Sequence, residues 1–227
     1  MKKRILSILL LCCMVLTLLP TAAFAADKIN EQFSLAPGGR YYFDLLAAGI
    51  PGTVNNALPG KTMHYVPFTY VGTVDAYSLK NEGDSNTQPY EHSLFVADYA
   101  VTHTANWNTL NDASLIFGKN YTAGGVDYTL RAPSVGSKST GSGESQRGTP
   151  ESNEWDRLLD KNDGYIKNWK RMASWGQDTR PDNSTPFRAV RGFHSARFWG
   201  CSSSSDRDVT LGFRPVLEVL NPDTLGS

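Results

Sequence analysis

Cys201 carries the most reactive side chain in the second half of this sequence, following Trp199-Gly200 and lying close in the chain to Arg197, Arg207 and His194. A thiol beside guanidinium groups ionises more easily and becomes a nucleophile. A catalytic thiol also needs a positioned base, for which His194 is the nearest histidine. His64, His92 and His103 are far away, and no histidine has a second ligand at helical spacing, so zinc or iron has no local scaffold. Asp160-Lys161-Asn162-Asp163-Gly164 imitates a calcium loop, but its glycine comes one residue early and no bidentate Glu follows, so it reads as a helix-end turn. Gly136-Ser137-Lys138-Ser139-Thr140-Gly141 has phosphate-cradle composition in the wrong order and reads as a flexible loop. The Gly-x-Ser-x-Gly elbow of serine hydrolases does not occur. No metal, cofactor or catalytic set is expected.

The most informative tract runs from Arg188 to Val219. Arg191-Gly192, Ser195-Ala196-Arg197, Trp199-Gly200, Arg207 and Gly212-Phe213-Arg214-Pro215 have the makings of a framework: glycines for close backbone, aromatics for packing, arginines to be tied down. Between them stand Phe193, His194, Phe198, Cys201, Ser202, Ser203, Ser204, Asp208, Val209 and Thr210, residues of unlike chemistry on a loop and its flanks. Exposed loops carry function, and small polar residues beside a few aromatics are paratope-like in composition. An ordinary serine-rich surface loop has the same appearance.

Elements must position that tract. Strands are expected within Asp27–Leu46 after the Pro37-Gly38-Gly39 turn, as short pairs over Met63–Leu79, and at Ser93–Tyr99, Ser114–Phe117, Val126–Arg131 and Phe187–Gly192. Ala105–Leu110 suits one or two helical turns that bring Trp107 and Leu110 together. Thr149-Pro150-Glu151 marks a helix start, with Trp155, Leu158 and Leu159 on one face and an end near Asp163-Gly164. A second short helix is expected over Tyr165–Met172, and loops over Ser134–Gly148 and Trp175–Pro186. A last strand pair has Val209, Leu211, Phe213, Leu217 and Val219 on one parity and Arg214 and Glu218 on the other, with Pro215 at an edge or bulge. This predicts one loop-rich α+β domain.

Targeting comes from the first 25 residues: Lys2, Lys3 and Arg4, the apolar run Ile5–Leu19 and Ala23-Phe24-Ala25 describe a secretory signal peptide cleaved after Ala25. The run is shorter than the ~20 residues of a membrane-crossing helix, so no span is expected after cleavage. Cleavage leaves about 200 residues and about three more acidic than basic side chains. Nucleic acid is excluded as a partner, because phosphate neutralisation needs clustered Lys and Arg. Cys12 and Cys13 leave with the signal, so Cys201 stands alone and no internal disulfide framework forms.

Arg191-Gly192, Ala196-Arg197 and Gly212-Phe213-Arg214, with Leu130-Arg131-Ala132-Pro133 and Ser152-Asn153-Glu154-Trp155 upstream, resemble the formylglycine-generating-enzyme branch of the C-type lectin fold over roughly Tyr90 to Leu220. The resemblance implies a loop-rich C-type-lectin-like fold with short antiparallel strands and one or two short helices. Enzymes of that branch bind copper through a cysteine pair, which a lone Cys201 cannot supply. The calcium-binding Glu-Pro-Asn and Trp-Asn-Asp signatures of sugar-binding C-type lectins are also missing. The non-catalytic variable proteins of diversity-generating retroelements in Gram-positive bacteria are the more similar group. In them, mutagenesis of Asn codons never yields Lys, Glu, Gln or Met, and Asp178–Leu217 contains none of these.

The expected organisation is a signal peptide at 1–25, a strand-rich segment at 26–89 packing on the same domain, the C-type-lectin-like region at 90–220 and a tail at 221–227. The expected function is a secreted or cell-surface protein that binds a protein or cell-surface ligand through Phe193, His194, Phe198, Cys201, Ser202, Ser203, Ser204, Asp208 and Thr210. A thiol-dependent enzyme using Cys201, or a structural segment of a cell-wall protein, are the alternatives.

Overall fold

Tyr41, Phe43, Phe68, Tyr70 and Phe95 lie along three strands adjacent in one sheet; Phe43 meets Phe68 and Phe95, and Tyr41 meets Phe95, edge to face at centroid separations of 5.1–5.5 Å, while Tyr70 is tilted against Phe95 at 4.8 Å. These strands are β1 (Arg40–Phe43), β3 (Val66–Ala76) and β4 (Tyr90–Ala97). They belong to a six-stranded antiparallel sheet that continues through β14 (Val216–Val219) and β7 (Val126–Arg131) to β6 (Lys119–Ala123), in the order β1-β3-β4-β14-β7-β6. The computed structural model describes residues 36–141, 146–181 and 186–220; the expected signal peptide and the tail from Asn221 lie outside them.

The first sheet curls until its edges face each other. Tyr121 on β6 stands 6.3 Å, ring to ring, from Phe43 on β1, and its hydroxyl donates to the Asp44 carbonyl at 2.9 Å. A second sheet, in the order β12-β11-β10-β13-β5-β2, is built from β2 (Thr53–Val54), β5 (Thr102–His103), β10 (Ala173–Thr179), β11 (Phe187–Gly192), β12 (Trp199–Ser203) and β13 (Leu211–Phe213). Only β10 and β13 pair in parallel. Arg214-Pro215 carries the chain from β13 in one sheet to β14 in the other.

Both faces of the curled sheet are covered, so its central strands alternate between two apolar environments. Phe95 and Leu217 point into the core shared with Trp107, Trp175, Val190 and Phe213. Leu94, Val96 and Val216 point into a second core beneath Trp155, Leu158 and Leu159. The latter three lie on helix α2 (Glu154–Lys161), while α1 (Trp107–Asp112) brings Trp107 and Leu110 into the interior. A small ribbon, β8 (Lys138–Ser139) with β9 (Gly148–Thr149), lies beside β12.

The expected α+β, C-type-lectin-like pattern is overturned: strand makes up 40% and helix 13% of a mostly β structure with a curled half-barrel sheet. Helical periodicity occurs in only two short stretches, whereas segments read as loops are strands. Trp175–Pro186 was expected as loop, yet Ala173–Thr179 is the central strand β10. Its polar residues are buried with partners: Gln177 accepts from the Leu79 amide, and Asp178 from the Tyr77 hydroxyl and the Val135 amide. Cys201–Ser203 likewise belong to β12. The expected strand Ser114–Phe117 is a turn, and the strand is the more polar Lys119–Ala123. Helix α2 starts at Glu154, capped by the Asn153 side chain, because Thr149 is engaged in β9. It ends at Lys161, where extended Asn162 stops it before Gly164. Tyr165–Met172 forms no α-helix, only a 3-10 turn over Asp163–Tyr165. In the last strand pair both parities are buried, Arg214 and Glu218 included, while Val209 is exposed.

Candidate functional site

The connection from β11 to β12, residues 193–198, is held by its main chain. Gly192 N–H donates to the Phe198 carbonyl (2.9 Å), Phe193 N–H to the Trp169 carbonyl (3.0 Å) and Arg171 N–H to the Phe193 carbonyl (3.0 Å). Two framework side chains seize carbonyls from below: Trp155 Nε1 donates to Ala196 (2.8 Å) and Arg191 Nη2 to Arg197 (3.1 Å). Arg191 is itself gripped by Asp156, at 2.6 Å and 3.2 Å. Asp156 also accepts from the Gly148 amide (2.8 Å) and the Asn153 side chain (2.7 Å), so a buried charge pair locks helix, ribbon and loop together.

Above this support the side chains of Phe193, His194 and Phe198 form a ladder. The His194 ring lies 4.7 Å from Phe193 and 4.6 Å from Phe198, near perpendicular to both. Phe193 has φ of +82°, a left-handed conformation that L residues occupy at a cost.

A second connection, residues 204–210, joins β12 to β13. Its carbonyls are again the anchor points: the Asn108 amide donates to Ser204 (3.1 Å), the Asn106 side chain to Ser205 (3.2 Å), the Thr104 amide to Asp208 (3.2 Å) and the Ala173 amide to Thr210 (2.8 Å). Its side chains bond to one another. Ser202 donates to Asp206 (2.5 Å), Ser203 pairs with Ser205 (3.1 Å) and Thr210 donates to Asp208 (2.6 Å). Bonds from the Thr210 hydroxyl and amide hold the Asp208 carboxyl below its ordinary range. Ser202, Asp206, Arg207, Asp208, Thr210 and Leu211 line a shallow cleft of about 340 Å³.

Ala173 pairs with Gly192 on one side and Leu211 on the other, so the aromatic ladder and the Asp208–Thr210 turn leave the same end of the second sheet, about 10 Å apart. Ser204 is buried, and its main chain rather than its side chain is engaged. Cys201 is half-buried against the second core. Among the described residues the hydrogen bond to its sulfur comes from Arg180 Nη1 at 3.3 Å. Arg197 instead pairs with Asp160 (3.3 Å) and Asp163 (3.1 Å), and His194 meets the two phenyl rings edge to face. The thiol therefore has a cation beside it but not the one expected, and His194 does not serve it as a base.

Sequence reasoning missed Asp206 in the cleft, took Arg207 there for framework, and missed Asp156 as the buried partner of Arg191. Asp156 sits three residues after the Asn153 cap, and that spacing was the available signal. Among the described residues there is no group of three or more His, Cys, Asp or Glu that could hold a metal ion, and no helix is long and apolar enough to cross a membrane.

In class, this is a mostly β scaffold that presents two main-chain-anchored loops at one end of a sheet. No protein-family model and no curated protein matches the sequence. Among solved structures the chain is similar to Treponema denticola variable protein 1, at 12% identity over 67% of this chain and 95% of that chain, with a TM-score of 0.32. So loose a superposition leaves fold and ligand to be argued from this chain's own residues.

Proposed function

We propose that this chain is a secreted or surface-displayed ligand-binding protein without catalytic activity, binding a protein or cell-surface ligand through the loop surface of Phe193, His194, Phe198, Ser202, Ser203, Asp208 and Thr210, with Cys201 and Ser204 on its flank. One observation carries the reading. The bonds that fix the two loops run through main-chain groups and framework side chains, whereas the candidate side chains bond chiefly to each other and to loop neighbours. Such side chains can be exchanged with little cost to the fold, which suits a surface diversified residue by residue, as in the retroelement variable proteins that the tract resembles. Rigid phenyl rings supply anchors and the hydroxyls and carboxylates supply adaptable hydrogen bonds.

The test is to replace Phe193, Phe198 and Asp208 together by alanine and to probe a panel of surface proteins and cell extracts with wild type and variant. The reading expects lost capture at a thermal midpoint within a few degrees of wild type. Capture that survives the triple replacement overturns it.

A further inference from the structure

Strand β10 is entered from residues 167–172, and this segment is held between the two loops of the candidate face. Phe193 N–H donates to the Trp169 carbonyl (3.0 Å), Arg171 N–H to the Phe193 carbonyl (3.0 Å) and Ala173 N–H to the Thr210 carbonyl (2.8 Å). Residues 169–173 are therefore the middle of the face, with the aromatic ladder on one side and the turn at 208–210 on the other. Arg171 and Phe193, bonded to each other, are both left-handed, at φ of +58° and +82°. Strain of this kind persists only where the surrounding structure enforces it, and it gathers at ligand clamps.

Lys170 and Arg171 are exposed, and so is Arg207 on the neighbouring loop, where it lines the shallow cleft. Arg40, Arg131, Arg147, Arg188, Arg191 and Arg197 each meet a carboxylate. Among the described residues, Arg171 and Arg207 are the exposed arginines that meet none, and neither makes another hydrogen bond or ion pair there. Arg207 is unpaired although Asp206 and Asp208 flank it in the chain. Asp206 accepts instead from the Ser202 hydroxyl (2.5 Å) and the Ser203 amide (2.9 Å), and Asp208 from the hydroxyl (2.6 Å) and amide (2.8 Å) of Thr210. The local acids are thus engaged, and two guanidinium groups face solvent in a chain with as many acidic as basic residues.

Their chemical complement is a carboxylate. A guanidinium binds one through two parallel hydrogen bonds, and Arg171 and Arg207 have no internal bond to give up first. Phe193 and Phe198 beside them call for apolar side chains, which a polyphosphate or an acidic polysaccharide lacks. We propose, on the footing that the loop surface is the binding face, that its partner is an acidic protein segment in which Asp and Glu stand among apolar residues, with carboxylates seated on Arg171 and Arg207 and Lys170 adding to the field.

Selection of peptides from a displayed random library on the full chain tests this. Peptides captured by the wild type are expected to be enriched in Asp and Glu beside Phe, Tyr or Leu. A synthetic copy of the strongest should bind the double variant R171E/R207E at least tenfold more weakly, at an unchanged thermal midpoint, and should weaken about tenfold in the wild type as salt rises from about 0.05 M to about 0.5 M. Captured peptides without acidic bias overturn the proposal, as does binding that R171E/R207E leaves intact while the triple alanine variant of Phe193, Phe198 and Asp208 abolishes it; the loop surface then stands and only its charge assignment falls. Binding that survives the triple variant removes the loop surface and the proposal together. Tighter capture of polyglycerol phosphate than of any selected peptide also overturns it, because the face would then serve an anionic polymer.

Discussion

Arg191 Nη2 lies 2.6 Å from Asp156 Oδ1 and 3.1 Å from the carbonyl oxygen of Arg197, with both charged side chains wholly buried. One guanidinium thus neutralises a carboxylate in the first turn of α2 and fixes the backbone of the loop that carries Phe193, His194 and Phe198. Loop shape is set from beneath, independently of the side chains it displays.

Breaking that pair is costly. Asp156→Asn leaves a buried guanidinium without a counter-charge and is expected to lower stability by about 3–5 kcal/mol in denaturant unfolding. The double variant D156N/R191M should recover part of that loss, and strict additivity of the two single effects would show that the residues are not coupled.

At Phe193 the backbone favours glycine. Phe193→Ala and Phe193→Gly both lose the ring, but only glycine relieves the φ of +82°, so the glycine variant should be the more stable by about 1 kcal/mol. Thermal unfolding of both variants decides it.

Acid should weaken the fold through Glu154. Burial opposes its ionisation, but Arg131, at 2.6 Å and 2.8 Å, and His92, at 2.7 Å, prevail and hold it at about 2. Its folded pKa is below the unfolded 4.5, so its contribution is complete above that pH and lost as pH falls toward 2. Glu218, held low by Arg131 against its own burial, adds to the same slope. Asp178 acts in the opposite sense: burial raises its pKa from 3.8 despite the bond from Tyr77, so its charge costs stability as pH climbs above that value. Unfolding free energy measured from pH 5 to pH 2 should fall steeply in the wild type and less steeply in Glu154→Gln.

Gly148 has no room for a methyl group. A Cβ there would lie 2.0 Å from the Val135 carbonyl oxygen. Gly148→Ala must displace the ribbon from the Asp156 carboxylate, and a loss of about 1–3 kcal/mol is expected in denaturant unfolding.

Cys201→Ser separates binding from thiol chemistry. Serine can accept the Arg180 bond, so a binder should keep its affinity and midpoint nearly unchanged. A thiol enzyme would lose all turnover.

Strands with hydrophobic alternation were legible in the sequence: Val126–Arg131 and Phe187–Gly192 have the expected limits, and Trp107 and Leu110 share a short helix as their spacing implied. What stayed hidden was burial of polar residues. Gln177 and Asp178 look like loop because polarity normally means solvent, and only distant partners such as Tyr77 and Leu79 make a buried strand of them. The same cause concealed Asp156 as the partner of Arg191. In the candidate tract, alternation of framework and unlike residues could be read from the chain, but not that Ser204 turns inward or that Asp206 joins Ser202.

Strand β14 lies between β4 and β7, bonded to both, although it comes from the very end of the described chain. Without Val216–Val219 the pairing order of the curled sheet falls into two parts, β1-β3-β4 and the hairpin of β6 with β7. Arg214 enforces the same order, since its partner carbonyl at Ala97 was synthesised 117 residues earlier. Completion of the curled sheet therefore waits for β14 and is governed by contacts of long sequence separation, which makes it slow. A nascent or prematurely stopped chain would expose two open sheet edges and invite aggregation.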